Sequence, residues 1–197
     1  MPQTLTLPTT NQWPAQGAWT YEDYLKLPDD GRRFEIIEGV LYVTNAPNID
    51  HQFVVSEIVQ QIGSFVRQHK LGYVLSAPFE VHLSERTRPV LPDVLFIKSE
   101  RWPETGAGYF EGAPDLVVEV LSPSTRRTDQ VVKFSLYEQA GVPEYWIVDP
   151  KTRSVLVYVL SGREYALLGE FVGEDVVQSS VLAGLQIIAR TLFNPGR

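Results

Sequence analysis

The chain has no cysteine and only three histidines in 197 residues. The first absence excludes disulfides, thiolate zinc sites and cysteine nucleophiles, and the second leaves little imidazole for nitrogen ligation. Any metal would be held by oxygen. No apolar run approaches the ~20 residues needed to cross a bilayer, and the N-terminus MPQTLTLPTTNQWPAQG has neither a basic start nor an apolar signal segment. The expectation is a cytoplasmic protein with no membrane partner. Cations are also in deficit: 17 Lys and Arg stand against 24 Asp and Glu, a formal net charge of -7. That balance argues against non-specific coating of nucleic acid, which needs clustered Lys and Arg. It does not exclude a nuclease, because metal-binding carboxylates themselves lower the net charge. Arg86, Arg88, Arg126, Arg127 and Lys133 bracket the acidic candidates in sequence, either as a local basic patch or as ordinary solvated charges.

What is present describes one domain. A 44% hydrophobic, 21% charged composition is that of a soluble globular chain with enough apolar residues for a real core. Residues 1–18 are Pro-, Thr- and Gln-rich without periodicity and read as an extended N-terminal arm, leaving 19–197 as the domain. Thr20 with Asp23 forms a capping-box pattern for a short helix that the turn at Pro28 to Gly31 ends. FEIIEG and VLYVT read as a hairpin, with Phe34 and Ile36 facing one way and Glu35 and Ile37 the other. Asn48 to Lys70 carries a helical stripe of Val54, Ile58, Ile62, Phe65 and Val66, with Asn48 or Asp50 as N-cap and Gly72 as the stop. Within it His51 is expected at the surface or partly packed, and Glu57 solvated. Tyr73 to Leu83 reads as one strand and VLPDVLFI as another, with Asp93 inside it. The loop from Lys98 to Ala113 is expected to cover one edge of a site.

The organising stretch is Ala113 to Glu138. Leu116, Val117, Val118, Val120 and Leu121 suit a strand buried on both faces, and Glu119 interrupts them. A carboxylate there costs several kcal/mol unless a cation, a metal or hydrogen bonds compensate. A helix from about Thr128 to Ala140, stopped at Gly141, supplies one candidate in Lys133. If that helix runs back antiparallel to the strand, the helical residues from Thr128 descend roughly 7.5 Å. The strand residues from Leu121 to Glu119 descend roughly 6.6 Å. The heights match, so Lys133 reaches Glu119. Beyond it, EYWIVD, SVLVYVL and REYALL form a buried strand followed by an antiparallel meander, and the C-terminus ends in a short helix.

Asp93 and Glu119 on neighbouring strands have the chemistry to hold Mg²⁺ or Mn²⁺, which takes few protein oxygens and completes its shell with water and phosphate oxygens. Lys133 beside them would orient or deprotonate an attacking water, or stabilise the transition state by its charge. A plainer alternative stays open at each position. Asp129 and Lys133 are spaced as a helical surface ion pair, and Asp93 and Asp115 each follow a proline where a side chain caps a turn. The sequence also leaves open whether Glu38, His51, Asp115 or Tyr137 belongs to the site.

These residues in this order resemble a known family. Pro92 and Asp93, then APDLVVEVLSPST, then Asp129, Lys133 and Tyr137 at four-residue spacing, then GVPEYWIVDP, are similar to the Uma-two family of the PD-(D/E)XK restriction-endonuclease-like superfamily. The likeness covers roughly Tyr21 to Leu192. It implies an α/β fold with a central mixed sheet flanked by helices and antiparallel strands in the C-terminal part. It further implies Mg²⁺-dependent hydrolysis of phosphodiester bonds in DNA, and a homodimer. By position, Asp93 and Glu119 match the family's acidic pair, as catalytic and metal-binding residues. The superfamily lysine stands two residues after the glutamate, where this chain has Leu121, and Lys133 matches the relocated lysine of this family. The alternative is a nuclease-fold module without catalysis that acts in DNA binding or dimerisation.

Overall fold

Twelve strands and three α-helices alternate along the chain in a computed structural model that describes residues 13–44, 46–103, 106–123 and 125–193. Most of the N-terminal arm, residues 1–12, lies outside the described residues; Trp13 stacks on Trp19 with ring centroids 5.5 Å apart, and Gln16 hydrogen-bonds the backbone of Leu41. Helix α1 (Tyr21–Tyr24) opens on the expected reciprocal Thr20–Asp23 capping box. Strands β1 (Arg33–Ile37) and β2 (Val40–Thr44) then pair antiparallel around Glu38 and Gly39. Both turn residues have positive φ, 51° and 73°, the backbone of a tight two-residue hairpin loop.

Helix α2 (Ile49–His69) is capped by Asn48, whose side chain accepts the His51 amide at 2.9 Å. Its C-terminal cap is Lys70 in the left-handed conformation, not Gly72. Gly72 instead makes room between strands. A Cβ there would collide with the carbonyl oxygen of Ile97, so the residue lets β3 (Gly72–Ser76) approach β5 (Val94–Lys98) closely. The single strand expected over Tyr73 to Leu83 is two. The chain leaves β3 at Ala77–Pro78, where proline has no N–H for a ladder, and resumes as β4 (Glu80–His82), paired parallel with β6 (Tyr109–Glu111) in a separate ribbon.

The main sheet has six strands in the order β10-β9-β8-β7-β5-β3, where β7 is Leu116–Val120, β8 Glu144–Asp149, β9 Ser154–Ser161 and β10 Glu164–Val172. Within this sheet only β7 and β8 run parallel. Parallel neighbours need a crossover, and residues 121–143 provide it, wound as a π-helical turn at Thr128–Lys133 and then α3 (Phe134–Ala140), which Gly141 ends at φ 80°. Every residue of β7 and of β8 is buried. Leu116, Val118 and Val120 pack against the α2 stripe and the C-terminal segment with β11 (Val176–Val177) and β12 (Ile187–Ile188). Val117 and Leu121 face the other way, onto Leu136 and Tyr137 of α3 and Ile37 of the hairpin. Period-two alternation therefore places Glu119 on the α3 face. No helix among the described residues is long and apolar enough to cross a membrane.

Candidate functional site

Three segments distant in sequence meet at one end of the β5–β7 pair. Asp93 is not inside its strand but immediately before it, because the bend after Pro92 delays β5 to Val94. The antiparallel register pairs Val94 with Val118, and one step further sets Asp93 opposite Glu119. The Asp93 carboxylate takes over the ladder's role there: Oδ2 accepts the Val120 amide at 3.0 Å. The same oxygen accepts from His51 Nε2 at 3.0 Å, while Oδ1 accepts from Arg33 Nη1 at 3.2 Å.

Glu119 is 2% exposed, and its Oε1 accepts from Lys133 Nζ at 2.9 Å and from the Tyr137 hydroxyl at 2.8 Å. Lys133 therefore reaches back onto the strand as the height argument expects, although from a π-turn rather than a regular α-helix. The widened turn keeps Asp129 and Lys133 both buried, which rules out the solvated surface pair; their charged atoms are 4.0 Å apart. The stronger second partner of the ammonium is Glu35 Oε1, at 2.9 Å. That oxygen also accepts the Leu91 amide at 2.8 Å, tying the β1–β2 hairpin to the segment that carries Asp93.

Glu35 and Arg33 are the site residues that the sequence reading missed. The signal was in the hairpin: Glu35 shares a strand face with Ile37, a charged side chain on a face that otherwise packs inward. His51, expected at the surface or partly packed, is buried, because α2 begins beside Asp93. Tyr137 belongs to the cluster. Glu38 and Asp115 do not. Glu38 sits exposed on the hairpin turn with Arg86 3.6 Å away. Asp115, at the far end of β7, accepts the Lys98 amide at 2.9 Å and pairs with Arg101 at 3.1 Å. The loop expected to flank the site, Lys98 to Ala113, lies at that far end too, and none of its described residues lines the cavity described next. Of the basic residues, Arg88 pairs with Glu85, and Arg126 is held by both oxygens of Asp149 at 2.9 Å.

The cluster opens into a cavity of about 280 Å³ lined by Glu35, Asp93, Glu119, Asp129, Lys133 and His51 among others. It adjoins a second of about 380 Å³ through Asn48, Ser122 and Pro123, and a third of about 480 Å³ through Arg33 and Leu91. Four carboxylates face two strong cations, Lys133 and Arg33, so the local charge balance is negative. Burial, the largest influence, pushes Glu119 well above the usual carboxylate range; Lys133 opposes the shift, and Asp129, Asp93 and Glu35 add to it. Asp129 is raised to about 6, chiefly by burial. Burial also works on Asp93, but the His51 hydrogen bond and charge, Lys133 and the Val120 amide outweigh it and leave this carboxylate below its ordinary value. For Lys133 burial works against the charge, yet the surrounding carboxylates hold the ammonium well above its usual range.

A hard divalent cation fits this donor set. The ligands are oxygen, and the site carries excess negative charge, four carboxylates against Lys133 and Arg33. Among the described residues no three carboxylates or imidazoles already form a ligating group. Protein side chains alone would therefore not complete the shell of such an ion, which would draw further ligands from water and substrate.

A model of the Uma2 family, described as "Putative restriction endonuclease", matches residues 21–191. The crystal structure of a protein from Anabaena variabilis ATCC 29413, described as "a putative nuclease belonging to DUF820", superposes with a TM-score of 0.75 at 25% identity, over 88% of this chain and 97% of that one. No curated protein matches the chain.

Proposed function

The chain belongs to the Uma2 family of nuclease-like proteins, and from that premise we propose that it is a Mg²⁺- or Mn²⁺-dependent endonuclease acting on DNA, with Asp93, Glu119 and Lys133 as its catalytic residues. The observation that carries the proposal is the convergence of Asp93, Glu119 and Lys133 on one cavity, from the residue before β5, from β7 and from the crossover. Asp93 and Glu119 would hold the ion. When bound, it supplies Lewis-acid charge against the scissile phosphate and a more acidic water.

The protein's own groups then divide the remaining work. Lys133 stays an ammonium, since its carboxylate neighbours raise its pKa; it does not accept a proton from water but stabilises charge that develops on the phosphoryl oxygens. His51 and the Val120 amide hold one Asp93 oxygen in place, a supporting shell of the kind that keeps a ligating carboxylate oriented. The flanking cavities give the nucleotides on either side of the scissile bond a place to lie. The test is incubation of purified protein with single- and double-stranded DNA in the presence and absence of Mg²⁺ or Mn²⁺. Cleavage that needs the ion and disappears in Asp93→Ala and Glu119→Ala is expected. Cleavage that persists in both variants sinks the assignment.

A second reading, a nuclease-fold module that binds DNA or forms a homodimer without hydrolysis, is favoured by one observation. Both oxygens of Asp93 already accept hydrogen bonds, from Arg33 on one side and from His51 and Val120 on the other. DNA retention without heat of Mn²⁺ binding in calorimetry would decide for it.

A further inference from the structure

We infer that Glu35 is a positioning residue that frees Glu119 for the cation by carrying the charge of Lys133; the inference rests on the metal-dependent reading above. Glu119 has two demands on it. Its Oε1 neutralises a fully buried ammonium at 2.9 Å, and the same carboxylate is a proposed ligand of a divalent ion. Two cations competing for one carboxylate repel each other, and the ion would either be excluded or leave Lys133 buried without a counter-charge, an unfavourable arrangement.

Glu35 resolves the competition. Its Oε1 lies 2.9 Å from Lys133 Nζ, the same distance as Glu119 Oε1, so the ammonium keeps a close ion pair when Glu119 turns its charge to the ion. Asp129 cannot substitute at 4.0 Å, beyond hydrogen-bond reach. The Leu91 amide, donating to the same Glu35 oxygen at 2.8 Å, fixes the carboxylate in place. A lysine carried on the strand two residues after Glu119 would approach from a different backbone. Here the lysine comes from the crossover, and the hairpin supplies a second carboxylate beside it.

The experiment is Mn²⁺ titration by calorimetry of the full chain as wild type, Glu35→Gln, Lys133→Met and the double variant, with circular dichroism confirming the fold. The amide in E35Q retains an oxygen for Lys133 and for the Leu91 amide but loses the charge. Expected is a Kd for Mn²⁺ about tenfold weaker in E35Q, the usual scale for a lost supporting partner. In E35Q/K133M, where no ammonium competes, the Kd returns to the wild-type value or tighter. If E35Q binds Mn²⁺ as wild type does, or if the double variant stays as weak as E35Q, the inference is overturned, the second result making Glu35 a ligand or a mere anchor of the hairpin. Should E35Q fail to fold, K133M and E35Q/K133M provide the comparison: equal Kd values support the inference, and a weaker double variant overturns it. Absence of binding to the wild type itself overturns the metal-dependent reading and this inference with it, whereas binding that ignores Glu35 overturns this inference alone.

Discussion

Lys133→Met isolates the charge at the centre of the fold. Lys133 is 4% exposed and makes two short ion pairs, to Glu35 and Glu119, which are 6% and 2% exposed. Methionine fills similar volume, so the loss is one of charge more than of packing. Removing one member of a buried ionic group leaves its partners uncompensated and costs about 3 to 5 kcal/mol. Glu119 escapes part of that cost by binding a proton, which makes the effect depend on pH. Glu119 is already raised by burial and by its acidic neighbours, and without the ammonium it rises further. A carboxylate whose folded-state pKa exceeds its unfolded value contributes stability that is complete below the unfolded pKa and is lost as pH rises through the folded one. K133M should therefore lose more stability near pH 8 than near pH 5. Urea unfolding followed by circular dichroism at both pH values, with unchanged slope, measures it. At pH 8 the melting temperature should fall by about 6 to 20 °C, at roughly 2 to 4 °C per kcal/mol for a chain of this size. A loss under about 1 kcal/mol at pH 8 would place the ammonium in solvent, and an equal loss at both pH values would assign the effect to packing. Either result refutes the electrostatic account.

Other outcomes follow from the same geometry. Asp129, raised from 3.8 to about 6 chiefly by burial, withdraws roughly 3 kcal/mol of stability as pH climbs from about 4 to about 7. Asp129→Asn should flatten that part of the stability profile in melts from pH 4 to 8, and an unchanged profile would count against it. Saturating Mn²⁺ should raise the melting temperature of the wild type, more so as pH rises and protons compete less for the carboxylates, and should not do so for Asp93→Asn/Glu119→Gln. Glu144 tests the opposite case, a buried carboxylate with no cation partner among the described residues. It is 0% exposed and accepts from Trp146 Nε1, the Ser179 hydroxyl and the amides of Ser180 and Val181 at 2.6 to 3.0 Å. Glu144→Gln turns an amide NH₂ toward those donors and should cost about 2 to 3 kcal/mol while leaving Mn²⁺ affinity unchanged; a weaker Mn²⁺ Kd would show that this anchor and the cavity are coupled.

Much of this protein was legible before any coordinates. The apolar runs at Leu116 to Leu121 and Tyr145 to Val148 require strands covered on both faces, because such sequences have no polar side to leave in water. A single glutamate in the first run demands a partner for the same reason. Rise per residue alone carries Lys133 to the right height, and Gly141 marks where its helix stops. These are local facts, set by periodicity, by propensity and by the cost of burying charge.

The tertiary structure decided what depends on elements arriving from elsewhere. No local signal says that α2 begins beside Asp93, so His51, an ordinary first-turn residue in sequence, becomes a buried partner of that carboxylate. The break at Ala77–Pro78 has a local cause in its proline, but only the tertiary structure shows that the resumed strand pairs with β6 and leaves the main sheet. Glu35 shows the difference most clearly. Its alternation with Phe34 and Ile36 could be read directly, but which charge waits on the inner face could not, since a strand's period sets the direction of a side chain and only the packing of the hairpin against the crossover determines what it meets there.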